Sequence, residues 1–125
     1  WMYVEDSCNA IWKSIISKEK FKKINIGSGR RVSNIDIAHN IFKIMKSKNL
    51  TKLKKDNFLQ MVKDRPGHDK RYALDTKFFN KKIKYKIKKN LNEGLEETIT
   101  WYIANNKWIK KVNKSYNFKR LGLID

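Results

Sequence analysis

A single cysteine, Cys8, stands among the 125 residues. The chain therefore cannot close a disulfide on itself, which fits a reducing, cytoplasmic compartment. Two histidines beside that cysteine are too few for a Cys/His zinc centre, and no metal site is expected. No stretch approaches the roughly 20 apolar residues that cross a bilayer, and no leader segment is visible, so no membrane partner is expected. Serine, histidine and acidic residues occur at no spacing that makes a nucleophilic triad or an acid–base pair, so no catalytic residue is assigned. Cys8 itself sits in an apolar helical pattern and reads as a small buried hydrophobe rather than a reactive thiol.

Acidic residues are also scarce, at 12 against 30 basic ones, for a net charge of +18. Such an excess raises the case for nucleic acid or another anionic partner. Its make-up argues the other way. Lysine outnumbers arginine 25 to 5, and isoleucine (15) and asparagine (13) are abundant with it, the drift that an AT-rich coding sequence produces. The densest run, residues 81–89, alternates lysine with Ile83, Tyr85 and Ile87. One face of such a run can pack while the lysine stems lie along it with their heads in water. A solvated lysine surface is the reading adopted, with a small basic nucleic-acid-binding domain as the alternative from another class.

The one proline, Pro66, falls in Asp64-Arg65-Pro66-Gly67-His68-Asp69-Lys70-Arg71-Tyr72, which also holds one of the two histidines and two of the five arginines. Pro-Gly sets a tight turn and brings backbone close to a ligand. Arginine grips phosphate through two parallel bonds, which lysine cannot do. A turn carrying Arg65 and His68 has the make-up of an anion-binding loop; it also suits a plain surface turn between strands.

Along the chain, residues 1–4 read as extended or as the end of a strand. A helix follows from Glu5 to about Lys18, with Glu5 and Asp6 suited to its positive end. Residues 21–26 alternate apolar and basic side chains, as a strand does, and close at Gly27-Ser28-Gly29. Asn34 reads as the N-cap of a helix reaching about Lys48, with Ile35, Ala38, Ile41, Phe42 and Met45 on one stripe and His39 on the polar side. A short strand over 58–62 leads into the Asp64 turn, and residues 72–74 are extended again. Asp75 or Thr76 caps a short helix holding Phe78, Phe79 and Ile83. Asn90 with Glu93 forms a capping box that opens the last long helix, with Leu91, Leu95, Thr98, Ile99, Tyr102 and Ile103 on one side. The expected fold is a small mixed α/β lobe. Its apolar opening and few strands suggest one piece, residues 1–125, whose upstream part lies outside this sequence.

Two look-alikes are set aside. Gly27-Ser28-Gly29 resembles the start of a dinucleotide fingerprint, but Val32 stands where its third glycine belongs. Tyr85-x-x-x-Lys89 has the spacing of a dehydrogenase proton-donor pair, but lysine is so common here that chance supplies the match.

In order, these pieces resemble the C-terminal part of the dTDP-glucose 4,6-dehydratase family, within the extended short-chain dehydrogenase/reductase group of NAD-dependent epimerases and dehydratases. The resemblance rests on Trp1-Met2-Tyr3-Val4-Glu5-Asp6, on Asn25-Ile26-Gly27-Ser28-Gly29 with Asn34 downstream, on residues 62–75 around Asp64-Arg65-Pro66-Gly67-His68-Asp69, and on residues 91–98 running into Trp101-Tyr102 and Trp108. It runs to about Tyr116. It implies that an N-terminal part, with the Rossmann lobe, binds NAD and supplies the catalytic groups, while this part grips the diphosphate handle of a nucleotide-sugar substrate. Asn34, Asp64, Arg65, Pro66, Gly67 and His68 are the implied substrate contacts. Arg65 would hold diphosphate oxygens, Asn34 would donate to the same group, and His68 would pack near the nucleotide. The resemblance also implies a homodimeric intact enzyme and an inactive isolated piece. A related epimerase or decarboxylase would share the grip and differ upstream. Ser28, Arg30 and Arg31 depart from the family pattern, and the run from Lys81 lacks its usual Gly-Trp-x-Pro.

Overall fold

The structure, a computed structural model, describes residues 1–20, 23–64 and 66–114. Five helices carry it: α1 (Val4–Ile16), α2 (Asn34–Ser47), α3 (Lys77–Ile83), α4 (Leu91–Ala104) and α5 (Asn106–Asn113), with one 3-10 turn at Lys55–Asn57. Helix α2 packs on α4, and α5 follows α4 directly, with Asn105 bonded into both.

Helices α2, α3 and α4 start where side chains satisfy free amides. Asn90 accepts from the amides of Asn92 and Glu93, and Glu93 returns the bond to the Asn90 amide at 2.7 Å. This is the expected capping box, and it fixes the start of α4. The cap of α2 is Ser33, one residue before the expected Asn34. Its hydroxyl accepts from the Asp36 amide and donates to the Asp36 carboxylate. Asn34 is thereby the first residue of the helix. Thr76 occupies the N-cap position of α3, and the Lys77 amide donates to Asp75 Oδ1. Helix α3 ends on Lys84 in the left-handed region, φ +51°.

The core is small. Ala10 of α1, Phe79 of α3 and Tyr85 are buried together, with Met2, Ile24, Ile26 and Ile83 packed around them. On α2 the buried side chain is Ile37; Ala38, Ile41, Phe42 and Met45 of the expected stripe are partly buried, and Ile35 is exposed. His39, expected on the outer side, is half-buried with its ring 5.4 Å from that of Phe58. Phe58 stacks on Phe42 at 4.3 Å and ties the connector to α2.

The mixed α/β expectation needs correction: among the described residues no strand forms. Residues 23–26, 58–62 and 72–74 join no helix and no strand ladder. Phe21 and Lys22 lie outside the described residues. The physical reason is pairing. Alternation suits an extended chain, but a strand exists only when a second backbone takes up its amides and carbonyls. Here the segment at 25–29 meets 74–76 through side chains instead: Asn25 Nδ2 donates to the Asp75 carbonyl at 3.4 Å, and a methyl group on Gly27 would lie 3.5 Å from Thr76 Cγ2.

Helix α4 meets the N-terminal segment most closely at Gly94. A Cβ on Gly94 would come within 3.0 Å of Tyr3 Cβ and 3.2 Å of its Cδ2. Valine there must push the tyrosine away, and overpacking of this kind costs about 1–3 kcal/mol. Gly94→Val is expected to lower the urea midpoint accordingly, with an unchanged slope.

Candidate functional site

The Asp64–His68 turn forms as the sequence requires. Gly67 adopts φ +68°, a conformation that glycine takes without steric cost. His68 Nδ1 and Asp64 Oδ1 are 2.6 Å apart across the turn. A carboxylate can only accept, so Nδ1 is the donor, and Nε2 is the atom left to meet a ligand. Pro66, Gly67 and His68 are all exposed. Arg65 lies outside the described residues. The structure thus brings Asp64 and His68 together around Pro66 and Gly67. Asn34 is exposed on the first turn of α2 and makes no hydrogen bond to the turn among the described residues.

The second glycine turn lies against the segment that follows. Gly29, at φ +69°, approaches Thr76, whose Oγ1 would be 3.7 Å from an added Cβ. Four residues, 30–33, separate Gly29 from α2, and the first turn of α2 already holds Asp36, whose carboxylate is bonded to Ser33. A dinucleotide pyrophosphate needs a helix start placed directly behind the glycines and free of negative charge. The residues present do not fit NAD at this turn.

Sequence reasoning missed a buried polar node. Asp6, expected as an acid suited to the positive end of α1, is only 2% accessible. Its Oδ1 accepts from the Tyr85 hydroxyl at 2.5 Å and from the Lys88 amide at 3.0 Å, and Oδ2 accepts from the Lys89 amide at 3.1 Å. Burial alone would push this carboxyl up, but the tyrosine and the two amides together hold it below the ordinary carboxylate value. Burial and the neighbouring carboxylate push Tyr85 up to about 12. A phenol held this way is a structural donor, the opposite of the lowered value that proton transfer near neutrality requires. No local signal marks the pair, because 79 residues separate its members. The node sets the path of residues 85–90, and Lys89 then pairs with Glu97 of α4 and lies 4.6 Å from the Tyr3 ring centre.

A cavity of about 1010 Å³ opens between the N-terminal segment, residues 28–32 and helices α4 and α5, with Trp1, Tyr3, Val32, Trp101 and Trp108 among its walls. It reaches the glycine turn at Ser28 and runs on to Arg30, and among the described residues none of the expected substrate contacts lines it. Among the described residues no group of three histidine, cysteine or acidic side chains could hold a metal, and no helix is long and apolar enough to cross a membrane.

Residues 1–98 match the family described as GDP-mannose 4,6 dehydratase. Over its whole length the chain is 31% identical to a probable dTDP-glucose 4,6-dehydratase of Sinorhizobium fredii and 33% identical to a dTDP-glucose 4,6-dehydratase of Escherichia coli. A protein of the same name from Neisseria meningitidis is 29% identical over 98% of the chain. The chain spans about 36% of the length of each of these three relatives.

Proposed function

The chain belongs to the GDP-mannose 4,6 dehydratase family, and from that premise we propose that it is the C-terminal, substrate-gripping portion of an NAD-dependent nucleotide-sugar dehydratase. In the intact enzyme the substrate is dTDP-glucose and the product its 4-keto-6-deoxy form. Hydride passes from C4 to NAD, water leaves across C5 and C6, and hydride returns to C6. NAD and the groups that eliminate water belong to the part outside this chain, an assignment supported by the poor fit of the Gly27–Gly29 turn to a pyrophosphate. A homodimer of the intact enzyme is part of the same proposal.

The single observation that carries the reading is the Asp64–His68 turn. Its aspartate fixes the imidazole, its glycine takes the left-handed backbone, and its exposed tip sits in a stretch that holds Arg65 and Arg71. Arg65 grips the diphosphate, Asn34 donates to it, and His68 Nε2 faces the nucleotide. Charge-assisted bonds to phosphate oxygens are about twice as strong as neutral ones. Holding this remote handle places the hexose for chemistry carried out elsewhere.

A titration of the isotope-labelled chain with dTDP, against one with a random DNA duplex at physiological salt, tests the reading. Saturable shifts of the Asn34 and His68 amides with dTDP are expected. Silence toward dTDP, combined with duplex binding that falls steeply as salt rises, would replace it with a nucleic-acid-binding role.

A further inference from the structure

Five aromatic side chains, Trp1, Tyr3, Trp101, Tyr102 and Trp108, line the cavity beside α4 and α5. Trp101 meets Trp108 with ring centres 5.3 Å apart and Tyr102 at 5.4 Å, both edge to face, an arrangement in which aromatic rings attract. None of the five belongs to the buried core, and Trp101 and Trp108 stay half-exposed. Their apolar surface gains free energy when a ligand takes the place of water. The volume of about 1010 Å³ suits a small-molecule pocket, an apolar hollow carrying a few polar groups. A single ring would leave most of it wet, and fused rings fill more. Aromatic enclosures take either a cation held over the ring faces or a flat ring packed among them. The charged side chains of the cavity decide between the two. Lys89 is committed to Glu97 and to Glu5, and Glu93 closes the capping box on the Asn90 amide. Arg30 and Lys88 also line the cavity, and neither side chain forms an ion pair among the described residues. Two such cations oppose a cationic guest and favour an anionic one. The Arg30 amide donates to the Ser28 hydroxyl at 3.2 Å, which fixes the backbone that carries the guanidinium.

We infer that this cavity binds a fused-ring aromatic anion, its rings packed among Trp1, Trp101 and Trp108 and its anionic group met by Arg30 and Lys88. The site goes beyond the diphosphate grip, whose described contacts do not line the cavity. Arginine is scarce in the chain, five against 25 lysines, and at Arg30 its planar fork suits a carboxylate or a sulfonate.

Three of the four tryptophans line the cavity, and the fourth, Trp12, is exposed on the outer side of α1. The Asp6 bonds fix the roll of α1 and turn that side outward, which also corrects the expectation that Cys8 is buried. Trp12 is therefore an internal control. The probe is 2-naphthoate, titrated into the isotope-labelled chain while the four indole N–H signals are followed. Its neutral counterpart is 2-naphthalenemethanol, and octanoate is the anion without rings. Saturable movement of the Trp101 and Trp108 signals is expected, with Trp12 unmoved. The neutral alcohol should bind about five-fold more weakly, and so should 2-naphthoate to the variant carrying Arg30→Gln and Lys88→Gln, the size of effect that two surface charges carry. Both replaced side chains are exposed, and an unchanged dispersion of the amide spectrum checks that the variant folds. Equal affinity for the alcohol or in the variant overturns the inference, as does octanoate binding as tightly as 2-naphthoate, or Trp12 moving with the others. Displacement of 2-naphthoate by dTDP also overturns it, by making the cavity part of the nucleotide site. Shifts of Asn34 and His68 with dTDP that persist when 2-naphthoate is bound uphold both readings. Saturable indole shifts with 2-naphthoate in a chain silent toward dTDP uphold the cavity alone.

Discussion

Replacing Asp6 by alanine is expected to destabilise the chain by about 3 kcal/mol, since it strands the Tyr85 hydroxyl and two backbone amides and each buried unpaired group costs about 1–3 kcal/mol. The Lys88 and Lys89 amides lie near the surface and recover part of their loss from water, which keeps the sum at the lower end. Tyr85→Phe, which leaves the carboxylate with its two amides, should lose only about 1–1.5 kcal/mol. Denaturant unfolding followed by circular dichroism reads both. An Asp6→Ala variant as stable as the parent would mean that the carboxylate does not hold α1 to residues 85–89. The same node sets a pH signature. The folded pKa of Asp6 is lowered, so its contribution is whole above the ordinary value near 4 and is lost as pH falls through the folded value. Tyr85 is raised from 10.0 to about 12, so its contribution is whole below 10 and disappears as pH climbs through about 12. Asp6→Asn should flatten the acid limb and also shrink the alkaline one, because the carboxylate is part of what raises Tyr85.

Arg65→Ala is expected to weaken binding of the nucleotide sugar about 10- to 100-fold in the complete enzyme, the equivalent of the roughly 1.5–3 kcal/mol carried by hydrogen bonds to a charged group. Arg65→Lys should recover only part of it, because an ammonium meets two phosphate oxygens as a point charge and not as a fork. Calorimetric titration with dTDP separates the outcomes. Equal affinity in all three proteins would remove Arg65 from the site and leave the Asp64–His68 turn as a structural bend. The expected loss is one of affinity, since the chain holds the handle and not the reacting carbons.

Local chemistry was legible in the sequence wherever neighbours in the chain decide the outcome. Asn90 and Glu93 are three residues apart and cap α4 as expected. Gly67 takes the left-handed turn beside Pro66. Pattern failed where a distant partner decides. The short apolar run at 58–62 could not reveal that no second backbone would pair with it. Periodicity in α1 identified an apolar side but not its direction, since the roll of the helix is set by Tyr85 and the amides of Lys88 and Lys89, some 80 residues away. Ser33 displaced Asn34 as the cap of α2 by a finer margin, both residues being good caps. The substrate contacts were named from the resemblance, and among the described ones the structure joins Asp64 and His68 by a hydrogen bond.

Tyr3 resting on Gly94 leaves no slack for a methyl group between the segment that starts α1 and the helix α4. Close packing of this sort transmits displacement rather than absorbing it. A push delivered on the outer side of α1 would therefore arrive at α4 as a rigid shift, and the two helices would swing together like the arms of one lever.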